Sequence, residues 1–187
     1  MSELTVLQAV RLKGRVSINE LATTLAEDIT NTVEQLIASG LLIDSTTLRI
    51  SPSGRARLDE LLTEERAGID SGALAAAYGD FHSVNADFKA LVTDWQLNRD
   101  VAVLAGVDGV HERVLPIIAA AAAQLPRLDA YRAKLCTALD KVRAGETAWL
   151  TKPLVDSYHT VWFELHEELI LASGLTREQA ARSGDAQ

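Results

Sequence analysis

The chain has 187 residues, 48% of them apolar, with 18 basic and 26 acidic side chains for a formal net charge of −8. That acidity excludes an undirected grip on nucleic acid, so any DNA contact has to be local. The single cysteine, Cys136, excludes an intramolecular disulfide and a cysteine-pair zinc knuckle, and it is expected to pack as a small hydrophobe.

The length fits one larger domain or two small ones, and the apolar fraction supports a substantial core. No apolar run approaches the about 18 residues that span a bilayer. The start "MSELTVLQAV" lacks the basic segment followed by an unbroken apolar stretch of a signal peptide. A cytoplasmic protein with no membrane contact is the expectation.

In chain order, "ELTVLQAVRLKG" carries Leu4, Val6, Leu7, Val10 and Leu12 at helical spacing and stops at Gly14. "SINE" then places Ser17 and Glu20 three apart, the capping-box arrangement, which opens a short second helix through "LATTLA". A third helix begins after Asp28, runs "ITNTVEQLIAS" and ends at Gly40, a residue suited to a left-handed cap. "LLIDSTTLRIS" follows, two short apolar runs around a polar turn, which predicts a small β-hairpin. "SPSGRARLDELL" restarts a helix, with Ser51 or Ser53 as cap and Leu58, Leu61 and Leu62 as its inner stripe.

Three helices, a hairpin and a helix are the order of a winged helix-turn-helix, and residues 1–66 are assigned to it. "GLLIDSTTLRISPSGRARLDELL" resembles the wing region of MarR-like regulators. The resemblance implies that the third helix enters the major groove and the wing touches the backbone. With Ile29, Val33 and Leu36 turned inward, the outer face of that helix presents Asn31, Glu34, Gln35 and Ala38. Asn31 and Gln35 could pair with adenine edges, and Glu34 could accept from cytosine. Residues 16–48 contain no Lys or Arg, however. Basic residues lie only at the margins, Arg11, Lys13 and Arg15 before the gap and Arg49, Arg55 and Arg57 after it. All six on phosphate would give a salt slope of roughly −5. A winged helix used only for protein contacts therefore stays open beside the DNA-binding reading.

"ERAGIDSG" at 65–72 interrupts the helical pattern and marks the junction. Beyond it, residues 67–187 read as an α-helical bundle for dimerisation or effector binding, with helices near 71–97, 108–124, 127–144 and 152–173 and a short polar helix in "TREQAARSGDAQ". "NRDVAVLAGVDG" reads as the connection between the first two, and Pro116 predicts a kink or a later start in the second. The fold class is mainly α, a winged helix with a small β-hairpin wing followed by a helical bundle.

"LQAVRLKGRVS", "VNADFKALVTDWQ" and "VRAGETAWLTKPLVDSYHTVWFELHEEL" together resemble an actinobacterial module associated with MarR-like predicted regulators and with the C-terminal segments of pyruvate phosphate dikinase-like proteins. That resemblance implies a winged helix plus a helical partner domain and a regulatory role. No dikinase chemistry is carried over, because neither a nucleotide-binding body nor a phosphohistidine domain is present in the sequence.

In "SYHTVWFELHEEL" a helix would put His159, Trp162 and His166 within about 60° of one another, on the apolar side. Thr151 would cap it and Pro153 would occupy its first turn. A neighbouring polar stripe on the first bundle helix includes Tyr78, His82, Asn85 and Lys89. Three readings stay open: a structural hydrogen-bond network, a pocket for a small anionic effector lined by His82, Asn85, Lys89, Tyr158, His159, Trp162 and His166, and a metal site on His82, His159 and His166. No cofactor and no metal is expected on balance. No phosphate loop, nucleophile elbow or paired-carboxylate motif is present, and His111 with Glu112 in "DGVHERV" is an ordinary helix start, so an enzyme is not expected. The expected function is a dimeric winged-helix transcriptional regulator. The alternative is a regulatory or interaction subunit that does not touch DNA, for instance one serving a phosphotransfer enzyme.

Overall fold

The computed structural model describes residues 2–99 and 102–175. It is mainly α-helical with one two-stranded antiparallel sheet, and the chain divides into two compact units, Met1–Gly68 and Ile69–Gln187.

The first unit runs α1 (Glu3–Lys13), α2 (Ile18–Leu25), α3 (Thr30–Ala38), β1 (Leu42–Ile43), β2 (Arg49–Ile50) and α4 (Pro52–Ala67). Each helix start is written in the local sequence. Ser2 Oγ accepts from the Thr5 N–H to open α1, and Gly14 at φ 71° ends it. Ser17 and Glu20 close both bonds of a capping box at α2, which also holds the Glu20 carboxyl below its ordinary value. Asp28, two residues ahead of α3, accepts at Oδ1 from the Thr30 N–H at 3.0 Å. Leu7, Val10, Leu21, Val33, Leu48 and Leu58 fill the centre. The hairpin pairs Leu42 with Ile50 and Ile43 with Arg49, and a bridge between Val16 and Leu48 ties its returning arm to the segment between α1 and α2. This is the arrangement of a winged helix.

Packing of the wing against α4 is unusually close at Gly54. A Cβ there would sit 2.1 Å from the Leu41 carbonyl oxygen. The same corner is bonded through Ser51, whose Oγ donates to the Gly40 carbonyl at 2.7 Å and accepts from the Gly54 N–H at 2.9 Å.

The second unit contains α5 (Ser71–Asn98), α6 (Ala102–Gln124), α7 (Ala130–Arg143) and α8 (Tyr158–Ala172), with single 3-10 turns at Pro126–Asp129 and Thr147–Leu150. α5 and α6 lie antiparallel: Asp70 meets Gln124, Asp87 pairs with Arg113, and Leu91 packs on Gly106. Phe81, Phe88, Val107, Val114, Leu135 and Leu165 lie in the core that the four helices share.

Three sequence expectations are corrected here. α6 begins by Ala102, not near 108, and Pro116 lies inside it rather than delaying it. Gly106, within the stretch expected to connect the two helices, lies inside α6 as a close-approach residue, since a Cβ would come within 2.6 Å of Leu91 Cδ2. The last helix starts at Tyr158 rather than near 152, because Leu154 takes a positive φ of 63° and Ser157 supplies the cap. The short helix expected in "TREQAARSGDAQ" lies outside the described residues.

Candidate functional site

On the first unit, Asn31, Glu34 and Gln35 all stand exposed on α3, opposite the buried Ile29, Val33 and Leu36. Their polar ends are available to a ligand. The marginal arginines are less uniform. Arg55 is exposed in the first turns of α4, whereas Arg49 is half-buried in β2. Arg57 is committed within the unit, its Nε donating to Glu3 Oε1 at 3.3 Å and its Nη1 to Glu60 Oε2 at 3.1 Å. Those carboxylates raise the Arg57 pKa, and they compensate its charge before any phosphate arrives.

On the second unit, the structure brings part of the set of seven residues expected to line a pocket together, with the Tyr158 and Trp162 rings stacked at 6.1 Å. Asn85 and Trp162 do meet, with the indole Nε1 donating to Asn85 Oδ1 at 2.8 Å in the core. His166 is half-buried against Phe81 and Tyr78, with ring centroids 5.3 and 6.3 Å away. His82 is half-buried on α5, and Lys89 stands exposed on the same helix. His159, expected to point inward with Trp162 and His166, is exposed, its ring leaning on Phe88 at 6.2 Å. Angle alone does not explain it: Ile170, about three turns later on the same side of α8, is buried, so the exposure of His159 follows from its place in the first turn of the helix. Contact with Phe88 still strips enough water to lower the His159 pKa. Among the described residues no group of three or more His, Cys, Asp or Glu side chains is placed to hold a metal ion.

Tyr158 also takes part in a second constellation, one that sequence reasoning missed. It is fully buried, and its hydroxyl lies 3.1 Å from Nδ1 of His111, while Nε2 of the same ring lies 3.5 Å from Cys136 Sγ. Three helices, α6, α7 and α8, thus contribute one side chain each. His111 occupies the apolar stripe of α6 between Val107 and Val114. The spacing was a usable signal, but it was hidden by placing the helix start at 108, which made His111 a first-turn residue.

Burial, with a smaller contribution from the Arg143 guanidinium, holds His111 below its ordinary pKa of 6.5. The same burial pushes the Tyr158 phenol up, so it stays protonated. A histidine whose pKa is lowered by folding binds fewer protons in the native state than in the unfolded chain. Stability should therefore rise with pH through the window that ends near 6.5 and opens below it. His159 contributes with the same sign. Urea unfolding followed at pH 7.5 and 5.5 is expected to show lower stability at the acid value, and His111→Leu is expected to flatten the difference. Equal slopes in the two proteins would show that His111 does not carry it.

Compared with protein-family models, curated proteins and solved structures, the chain matches none. Among the described residues no helix is long and apolar enough to cross a membrane.

Proposed function

We propose that this chain is a cytoplasmic winged-helix transcriptional regulator, with the helical second unit serving dimerisation or the sensing of a small anionic molecule. The observation that carries the reading is the α3 face, where Asn31, Glu34 and Gln35 are exposed beside a paired wing while the opposite face is buried. Amide and carboxylate ends are the groups that read adenine and cytosine edges in the major groove. Phosphate anchorage comes from outside α3, from Arg11, Lys13, Arg15 and Arg55.

This set is smaller than the six basic residues of the sequence, because Arg57 is paired with Glu3 and the Nε of Arg49 is buried within the unit. Four phosphate contacts give an expected slope of log K against log salt of about −3.6. Fluorescence anisotropy with duplexes from the chain's own locus and a scrambled control, between 50 and 200 mM salt, measures it. Arg55→Ala is expected to weaken binding to all sequences and to make the slope shallower by about 1. Gln35→Ala is expected to relax sequence preference and leave the slope alone.

A second reading is favoured by the same charge pattern. Residues 16–48 carry no Lys or Arg, and the Arg57 charge is spent internally. A regulatory or interaction subunit, for instance of a pyruvate phosphate dikinase-like phosphotransfer enzyme, would use the α3 face against protein. No specific DNA binding at 50 mM salt selects that reading.

A further inference from the structure

We propose that Lys141 and Lys152, both laid over the Trp149 ring, form a clamp for the phosphate group of a small molecule. The clamp gives the sensing role of the second unit a site and a ligand class, and it rests on that role.

Two cations share one indole. Lys141 Nζ stands 3.4 Å and Lys152 Nζ 5.9 Å from the centre of the Trp149 ring. The arginines of α6, α7 and the turn before α7 behave differently: Arg113, Arg127, Arg132 and Arg143 each meet a carboxylate, on Asp87, Glu168, Asp129 and Asp108. Carboxylates are also close in sequence to the two lysines. Asp140 is taken by Arg143 at 3.6 Å, and among the described residues neither it nor Glu146 nor Asp156 comes within ion-pair distance of Lys141 or Lys152. The face of the indole attracts both ammoniums through its quadrupole, but it leaves their net charge uncompensated.

The backbone fixes this placement. The Trp149 N–H donates to the Glu146 carbonyl at 2.8 Å, the Lys152 N–H to the Ala148 carbonyl at 2.8 Å, and the Glu146 N–H to the Lys141 carbonyl at 3.0 Å. The indole itself packs against the bundle core, so both ammoniums rest on a rigid platform and less freedom is lost when a ligand arrives. Open carbonyls at the end of α7 would repel an anion. Those of Asp140, Lys141 and Val142 are covered, accepting from the N–H groups of Ala144, Glu146 and Gly145.

Charge and spacing select the ligand. Two ammoniums at these distances from one ring centre lie within about 9 Å of each other, where like charges repel and an anion between them gains from both. One phosphate group, its oxygens each accepting at about 2.8 Å, bridges a gap of about 8 Å, and the flexible Lys152 stem closes the rest. A phosphate monoester carries close to two negative charges near pH 7 and three strong acceptor oxygens, which matches two cations better than a single carboxylate does. Lys152 is exposed and Lys141 half-buried, so the clamp is reached directly from solvent.

The test uses the full chain at constant ionic strength. Inorganic phosphate and glycerol 3-phosphate are titrated while tryptophan emission is followed, with potassium chloride as the control. Both phosphates are expected to give a saturable change with a Kd on the order of 1 mM, and chloride none. Trp149→Phe is expected to abolish the change, which assigns it to this ring among the three tryptophans. Lys141→Met and Lys152→Met are each expected to weaken binding about tenfold. Lys134→Met removes the same charge from α7, where that ammonium lies over Tyr131 at 5.3 Å, and is expected to stay within about twofold of the parent. Tighter binding of glycerol 3-phosphate supports a phosphate ester as the ligand, equal binding supports free phosphate, and either supports the clamp. No saturable change, a change that survives in Trp149→Phe, or a loss in Lys134→Met as large as in Lys152→Met overturns the proposal. Lys152 is exposed, so its variant decides even if Lys141→Met does not fold. DNA binding is measured without phosphate, so failure of the clamp and failure of the regulator reading are seen separately.

Discussion

Replacing Gly54 with alanine is expected to destabilise the winged-helix unit by about 3 kcal/mol, although alanine is the better helix former. The two effects have opposite signs, and geometry decides between them. Gly54 lies in the first turn of α4, where alanine instead of glycine is worth up to about 1 kcal/mol in favour of the helix. Its Cβ would stand 2.1 Å from the Leu41 carbonyl oxygen and 2.9 Å from Ile50 Cγ1. The first of these is backbone, and it already accepts the Ser51 N–H at 3.0 Å. Relief therefore requires moving the start of the wing away from α4, with loss of the bonds from Ser51 and Ser53 to the Gly40 carbonyl. Gly79→Ala is the matched control, since it is an exposed glycine inside α5 with nothing within 4 Å of the added atom. It is expected to stabilise by up to about 1 kcal/mol. Chemical denaturation of the three proteins measures both, and an unchanged or raised midpoint for Gly54→Ala contradicts the close packing. The same strain falls on the first turn of α4, which carries Arg55, one of the proposed phosphate contacts.

What could be read from the sequence divides along physical lines. Starts and stops built from neighbours in sequence were legible: the Ser17–Glu20 box, Gly14 at φ 71° and Gly40 at φ 73° all act as their types suggest. The start of α6 was not legible, because a glycine serves two purposes. Gly106 is in the chain for the approach of Leu91, a neighbour fifteen positions away, and no local pattern distinguishes that from a break. Thr151 and Pro153 look like a helix start, yet Ser157 does the capping, because the chain turns through Leu154 in a left-handed conformation that its residue type does not announce.

The candidate sites follow the same rule. Which residues face outward on α3 was set by a 3.6-residue period and could be foreseen. That Arg57 would be spent on Glu3, 54 residues earlier, could not. The histidines show it most clearly. Those on the conspicuous aromatic helix, His159 and His166, proved exposed and half-buried, while the buried, doubly bonded ring is His111, from a segment that carries no aromatic neighbours. Its partners, Cys136 and Tyr158, come from two other helices, and tertiary packing alone assembles them.

Removing the Arg127 guanidinium is expected to cost more than any other single change considered, about 3–5 kcal/mol for Arg127→Met. Arg127, in the turn before α7, donates from Nη1 to Glu168 Oε2 on α8 at 2.6 Å, with side chains only 14% and 4% exposed. The Tyr131 hydroxyl donates to the other carboxylate oxygen at 3.5 Å. Burial, reinforced by Glu168 and Glu164, pushes the Tyr131 phenol well up, so it remains a neutral donor and cannot replace the lost cation. A buried carboxylate deprived of its partner is far more costly than the intact pair is favourable. A further measurement separates this cause from a loss of packing. Pairing the change with Glu168→Leu should recover most of it, leaving the double variant within about 1–2 kcal/mol of the parent or above it. If the double variant is instead as unstable as the sum of the two single changes, the residues act independently and the ion pair is not what joins this turn to α8. Recovery would mean that the pair fixes where α8 sits against α7, and with it the position of Tyr158, ten residues earlier on the same helix, against the His111 ring.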